Sequence, residues 1–381
     1  MTPDHGPAKT APGAPAKLPF HDLRASFLAQ RDAIRGAVER VLDGGWYILG
    51  REVAAFEEEF ARFCGAKHAL GIGNATEALQ VALLALDVKP GDDVVVPALT
   101  AAPTGMAVCA VGARPVFADI DPATFTVTAA TVERALTPRT KVVIPVHLYG
   151  QCAEMEPLLA LARSRGLPLL EDCAQCQGAK DEGRPAGTMG VAGAWSFYPT
   201  KNLGAFGDGG ALTCQDDALA ARMKRLRNYG AIEGYDFVEP GLNARLDELH
   251  AAILRVKLAT LAANNDQRRA TAARYRAEIR NPAVTLPIER PGAFHVWHQF
   301  VVRCAARDRL RAHLAERGLE TLIHYPRAMH QMQAFVRHGH APVEPREAAR
   351  AAAEILSLPI YPELPTAQVD AVIAAVNAFR G

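Results

Sequence analysis

Between residues 68 and 213 the chain alternates short apolar runs with stretches of helical periodicity. The runs occupy 68–72, 93–97, 114–118, 142–146 and 168–171. They are unbroken rather than alternating, as in Val94-Val95-Val96 and Val142-Val143-Ile144, and so predict strands buried on both faces of a mostly parallel sheet. Strands interleaved with helices in this way predict an α/β fold. Ligands of such sheets bind beyond the carboxyl ends of the strands, which singles out 73–76, 97–100, 147–150 and 172–175.

Upstream, 23–42 and 52–63 read as amphipathic helices. They are separated by Gly44-Gly45-Trp46-Tyr47-Ile48-Leu49-Gly50, a turn-rich link with two aromatics that suits a lid or a partner contact. Downstream, 247–279 reads as one long, bent helix. A smaller αβ unit follows, with an apolar run at 300–302, a helix over 308–317, a proline-interrupted loop, and helices over 346–356 and 366–379. The expected division is a disordered tail at 1–17, a large α/β domain at 18–250, and a connecting helix with a small C-terminal αβ domain at 251–381. The chain shows no internal repeat.

Composition narrows the function classes. The 381 residues carry 42 Lys and Arg against 41 Asp and Glu, a formal net charge of +1, which leaves no electrostatic footprint for nucleic acid. With 49% apolar residues the chain has the make-up of a globular protein, and the pattern predicts no membrane span. Seven cysteines form an odd, dilute set, unlike a secreted disulfide framework. The first 17 residues contain four prolines and no apolar run of signal-peptide length. The expectation is a cytoplasmic protein.

Five segments carry candidate chemistry. Gly71-Ile72-Gly73-Asn74-Ala75-Thr76 follows a strand and opens a helix, so its N–H groups and the Thr76 hydroxyl suit a phosphate; a plain N-cap role for Thr76 is the alternative. The segment departs from a dinucleotide fingerprint, because Thr76 replaces the third glycine and Asp92 and Asp93 precede the next strand. Leu169-Leu170-Glu171-Asp172 ends a strand in two carboxylates. A buried carboxylate there needs a cation or strong donors, and the protonated ring nitrogen of pyridoxal phosphate (PLP) is one such cation; capping of the next turn is the alternative. Lys201 lies in an apolar stretch with Phe197, Tyr198 and Phe206, where desolvation would lower its pKa and make the amine nucleophilic. Cys173 and Cys176 form a Cys-x-x-Cys with no second pair at ligand spacing, so they read as packing residues and no metal site is expected. His295, His298, His324, His330, His338 and His340 form a histidine-rich region that reads as a substrate or subunit contact.

Taken together, these segments resemble the DegT/StrS family of nucleotide-sugar aminotransferases, PLP enzymes of the aspartate-aminotransferase fold (fold type I). The resemblance runs from about Pro19 to Phe379. It rests on Gly45-Trp46-Tyr47-Ile48-Leu49-Gly50, Val146-His147-Leu148-Tyr149-Gly150, Glu171-Asp172-Cys173-Ala174-Gln175, the run from Ser196 to Gly204, and Asn243-Ala244-Arg245-Leu246-Asp247-Glu248-Leu249. Their order and spacing together are highly specific.

The resemblance implies a role for each matching residue. Lys201 matches the Schiff-base lysine, Asp172 the partner of the pyridine nitrogen, and Gln175 the residue beside the ring. Ala75, Thr76 and Ser196 match phosphate contacts. Asn243 matches a phosphate ligand supplied by the neighbouring subunit, which implies a homodimer with shared active sites. Tyr47, His147, His324 and Tyr325 are expected near the substrate. Lysine at 201, where dehydrating relatives carry histidine, implies transamination. The amino group would pass from glutamate or glutamine, through pyridoxamine phosphate, to a keto sugar on a nucleotide. A free keto-cyclitol acceptor and a non-catalytic PLP-binding regulator are the alternatives. One departure stands out: Ala101 occupies the place of an aromatic that stacks on the ring in many relatives, leaving room that Trp46 or Tyr47 could fill.

Overall fold

The computed structural model describes residues 18–381; the tail expected over 1–17 lies outside the described residues. The strands His68–Ile72, Gly210–Cys214, Ala192–Ser196 and Leu170–Asp172 form one sheet, in that order, and Arg114–Ala118, Asp93–Pro97 and Thr140–Val143 form another. Parallel bridges Val143↔Leu169 and Val146↔Asp172 join them into a continuous seven-stranded sheet. Within it only Gly210–Cys214 runs antiparallel to its neighbours. Asp93–Pro97 is buried at every position, which explains why it reads as an unbroken apolar run.

The expected α/β architecture is therefore present, with two strands the apolar pattern passed over. Ala192–Ser196 has the sequence AGAWS and Gly210–Cys214 the sequence GALTC. Small residues are required there: a Cβ on Gly193 would stand 2.5 Å from the Gly187 Cα, and one on Gly210 2.6 Å from the Asn74 carbonyl carbon.

Three differences concern the flanks. The helix expected over 23–42 is two, Leu23–Ala29 and Arg31–Gly44, and the second ends on Gly45 in the left-handed conformation at φ 64°. The long helix expected over 247–279 is divided at Ala259 and Thr260 into Glu248–Leu258 and Leu261–Glu278. The end of the helix expected over 346–356 is instead a strand, Ile355–Leu358, which pairs antiparallel with Phe300–Arg303.

The C-terminal segment builds a second apolar cluster. The C-terminal elements surround their own apolar cluster, including Tyr275, Trp297, Phe300, Leu310, Leu358 and Val372, and Leu18 belongs to it. Leu18 pairs with Gly318 and Glu320 through its backbone, so the first described residues pack with the C-terminal unit rather than with the large one. The helix Glu248–Leu258 packs against Arg31–Gly44 and Arg51–Cys64, and its Ala251 and Leu254 enter the cluster of the large unit. Leu261, at the start of the next helix, joins that same cluster.

Candidate functional site

The strand order brings the carboxyl ends of 68–72, 93–97, 170–172 and 192–196 to one edge, together with the amino end of the antiparallel strand. A cleft of about 580 Å³ opens there, a size usual for a cofactor or small-ligand pocket. Its walls unite Ala75, Thr76, Asp172, Ser196 and Lys201, which lie far apart in sequence.

Lys201 sits in a loop closed by its own backbone, where Lys201 N donates to Tyr198 O at 2.8 Å and Ala205 N to Phe197 O at 2.7 Å. Gly204 approaches the Pro199 carbonyl so closely that a Cβ would lie 2.4 Å from its oxygen, and no other residue fits. Burial lowers the Lys201 amine to a pKa of about 8, with the Asp172 charge opposing the shift.

Asp172 ends its strand and is buried. One oxygen accepts from the Thr104 hydroxyl at 2.8 Å and the other from the Ala174 N–H at 3.1 Å. The turn-capping alternative thus accounts for one oxygen and leaves the other to Thr104. Both donors are neutral, and burial pushes the carboxyl above its usual range against the hydrogen bonds and the Lys201 charge. An aromatic nitrogen cation would supply the charge this carboxylate lacks.

At the same cleft, the helix Ala75–Ala85 is capped by Asn74, whose side chain accepts from Glu77 N at 2.9 Å. The alternative role of Thr76 as N-cap is therefore overturned, and Thr76 is left lining the cleft. A helix N-terminus, the Thr76 hydroxyl and Ser196 suit a phosphate. Phosphate cradle, amine and unneutralised carboxylate together fit PLP: Ala75, Thr76 and Ser196 would hold its phosphate, Asp172 its ring nitrogen and Lys201 its aldehyde carbon.

Gln175 is buried beside this site. Its Oε1 accepts from Tyr149 N at 2.8 Å and its Nε2 donates to the Tyr325 hydroxyl at 3.0 Å. Burial pushes Tyr325 up to about 12, so the phenol keeps its proton. His324 accepts at its carbonyl from the Tyr149 hydroxyl, and its Nδ1 meets Ser357 Oγ at 2.8 Å. Burial, and then the Lys201 charge, lowers it to about 4, which keeps the imidazole neutral.

Other expected residues stand elsewhere. His147 was expected at the substrate, yet it is fully buried and does not line the cleft. Its Nε2 meets Glu171 Oε2 at 2.8 Å while its Nδ1 accepts from Ala153 N at 3.2 Å. His147 also lies with Cys173 and Cys176 in a group whose ligating atoms fall within 4.8 Å of one another. Both ring nitrogens are already engaged, and burial raises both thiols, so the trio packs as core. Tyr47 is 47% exposed, Asn243 is exposed, and neither they nor Trp46 line this chain's own cleft. The histidine-rich region is dispersed: His295 stacks on Trp297 at 3.8 Å and His298 is buried, so neither is a surface contact.

Sequence reasoning missed the parts played by Thr104 and Tyr149, and of the aromatics it set around Lys201 only Phe197 is buried, with Tyr198 and Phe206 exposed. Tyr149 lies within the flagged edge segment 147–150, but its two hydrogen bonds depend on residues 26 and 175 positions away. Thr104 is 68 positions from Asp172, and only the fold pairs them.

The model of the DegT/DnrJ/EryC1/StrS aminotransferase family matches residues 29–377. The chain is 46% identical over 362 residues to the erythromycin biosynthesis sensory transduction protein EryC1 of Saccharopolyspora erythraea, covering 95% of this chain and 99% of that one. It is 45% identical over 367 residues to the dTDP-3-amino-3,4,6-trideoxy-alpha-D-glucose transaminase of Streptomyces venezuelae, covering 95% and 96%. Among solved structures, S. venezuelae DesV in complex with a ketimine intermediate superposes with a TM-score of 0.93 at 44% identity, covering 95% of this chain and 98% of that one.

Proposed function

The chain belongs to the DegT/DnrJ/EryC1/StrS aminotransferase family, and on that premise we propose that it moves an amino group from glutamate or glutamine to a keto group of a nucleotide-linked deoxy sugar, as a cytoplasmic homodimer. The acceptor class follows the S. venezuelae transaminase, whose name specifies a dTDP-linked sugar. The family is PLP-dependent, and the observation that carries the reading is the pairing of Lys201 with Asp172 across one cleft.

Bound there, PLP supplies an electron sink at the carbon that gives up or gains the amino group. Lys201 Nζ is the base of the cleft. With its pKa near 8, the neutral amine at pH 7 is roughly 300-fold more populated than for an ordinary lysine, so Nζ can take a proton from the reacting carbon and return it. Asp172 would hold negative charge against the ring nitrogen of the bound group. Tyr325 keeps its proton and is fixed behind the cleft by Gln175, and neutral His324 adds no charge near Lys201.

Two observations support a dimer. Asn243 lies outside this chain's own cleft, and the neighbouring link exposes Trp46, Tyr47 and Ile48. All seven cysteines are free thiols, which agrees with a reducing compartment, and among the described residues no helix is long and apolar enough to cross a membrane.

The test is an absorption spectrum of the purified protein with PLP, before and after glutamate or glutamine. The expected result is a band of lysine-linked PLP that converts to that of pyridoxamine phosphate. Lys201→Ala should lose both the band and the conversion while keeping its fold by circular dichroism. A Lys201→Ala protein with wild-type turnover would overturn the assignment. Stable PLP binding without conversion by any amino donor would favour the regulatory reading.

A further inference from the structure

The residue after Lys201 is held more tightly than Lys201 itself. Asn202 is buried, and its Nδ2 donates to Asn265 Oδ1 at 2.8 Å and to the Val296 carbonyl at 3.0 Å. Its Oδ1 meets His298 Nδ1 at 3.2 Å. Asn265 Nδ2 in turn donates to the Gln177 carbonyl at 2.9 Å. Gln177 Nε2 then donates to the Ser196 carbonyl at 2.7 Å and to the Ala174 carbonyl at 3.3 Å. A buried chain of amides therefore runs behind the cleft and ends on the backbone of two residues that line it.

The direction of every bond is determined. Backbone carbonyls only accept, so Val296 and Gln177 orient the Asn202 and Asn265 amides, and His298 Nδ1 must carry the proton. Burial and the Lys201 and Arg268 charges hold His298 far below its ordinary pKa, which keeps it neutral. Asn202, Asn265, Gln177 and His298 do not line the cleft. They belong to four separate parts of the chain: the lysine loop, the helix Leu261–Glu278, the segment after the strand Leu170–Asp172 and the segment leading to the strand Phe300–Arg303.

Resting on the aminotransferase reading, we propose that Asn202 is a positioning residue for Lys201. The amide chain from His298 through Asn202 and Asn265 to Gln177 holds the lysine backbone in register with Ser196 and Ala174. The Lys201 side chain must stay free to move its amine, so the precision of proton transfer has to come from its anchored Cα. Misplacing a reacting group by about 1 Å costs on the order of 100-fold in rate, and the chain guards against a drift of that kind.

The experiment compares Asn202→Ala, His298→Ala and His298→Asn in the full-length protein. The asparagine amide nitrogen can stand where His298 Nδ1 stands. The two alanine variants should lower the rate of the glutamate half-reaction at least tenfold while the donor KM changes less than about threefold, because neither residue touches the cleft. His298→Asn should return the rate to within about threefold of wild type. The rate at which added PLP becomes linked to the apoprotein reads lysine placement without an amino donor, and it should fall in the same order. If Asn202→Ala does not fold, the His298 pair decides the matter. Alanine variants within twofold of wild type on both rates, or a His298→Asn protein as slow as His298→Ala, would overturn the proposal. A wild-type protein that links PLP normally but ignores every amino donor would overturn the aminotransferase reading instead, leaving the PLP-linkage comparison intact.

Discussion

The inner wall, meaning the cleft lining and the layer packed behind it, pairs its polar side chains within the chain: Asp172 on Thr104 and Ala174, Gln175 on Tyr149 and Tyr325, Asn202 on Asn265, Val296 and His298. On the surface outside the cleft lining, an outer rim made of the link from Gly44 to Gly50 and the loop from Tyr229 to Val238 leaves large apolar side chains in solvent, with Trp46 68% and Tyr235 94% exposed. The inner wall is thus assembled by folding alone. The rim has the composition of a surface awaiting a second body, although its backbone is anchored: Glu248 accepts from Gly50 N and Val53 N at 2.8 Å and from Glu52 N at 2.9 Å. Fixed backbone with unpartnered side chains is what a subunit contact requires.

The sharpest test of the inner wall is Asp172→Asn, which keeps the shape and removes the charge. The glutamate half-reaction should fall by about 10³-fold, the scale of losing a preorganised electrostatic contact, and the loss should be the same at every protein concentration. The Asp172 charge also opposes the lowering of Lys201, so its removal should move the midpoint for PLP linkage below about 8; a rise in the midpoint would contradict the assigned contact.

The rim should respond differently. Lys201→Ala and Asn243→Ala are each expected to be nearly inactive alone. A one-to-one mixture that exchanges subunits should recover about a quarter of wild-type activity, because half of the dimers are hybrids with one intact site of two. No recovery after demonstrated exchange would mean that Asn243 serves its own chain. The smallest effect should come from Glu248→Ala, which removes the cap of the helix Arg51–Cys64 and should cost about 1–2 kcal/mol in chemical denaturation. Unchanged stability would show that the rim backbone is held by other contacts.

Chemistry at the inner wall was legible in sequence because each element carries it locally. An apolar run ending in Asp172, a turn containing Lys201 and a helix opening at Thr76 each mark a strand end or helix start. The pairings between these elements were not legible. Nothing in the local pattern joins Thr104 to Asp172, or Asn202 to His298. His147 shows the limit in the other direction: its place at a strand end suggested the substrate, yet the side chain turns inward to Glu171, because facing is set by packing and not by position along the strand. Ala192–Ser196 and Gly210–Cys214 escaped the apolar pattern because close packing there demanded glycine and alanine over larger apolar residues.

By itself, the sequence determined the α/β class, the family and the identity of the lysine and carboxylate, since these rest on local periodicity and on residue types whose chemistry travels with them. Only the tertiary structure decided which residues face the cleft, how far burial moves Lys201 and Asp172, and which amides lock the lysine loop. Those properties arise from the distances and solvent exclusion that appear when segments far apart in sequence are packed against one another.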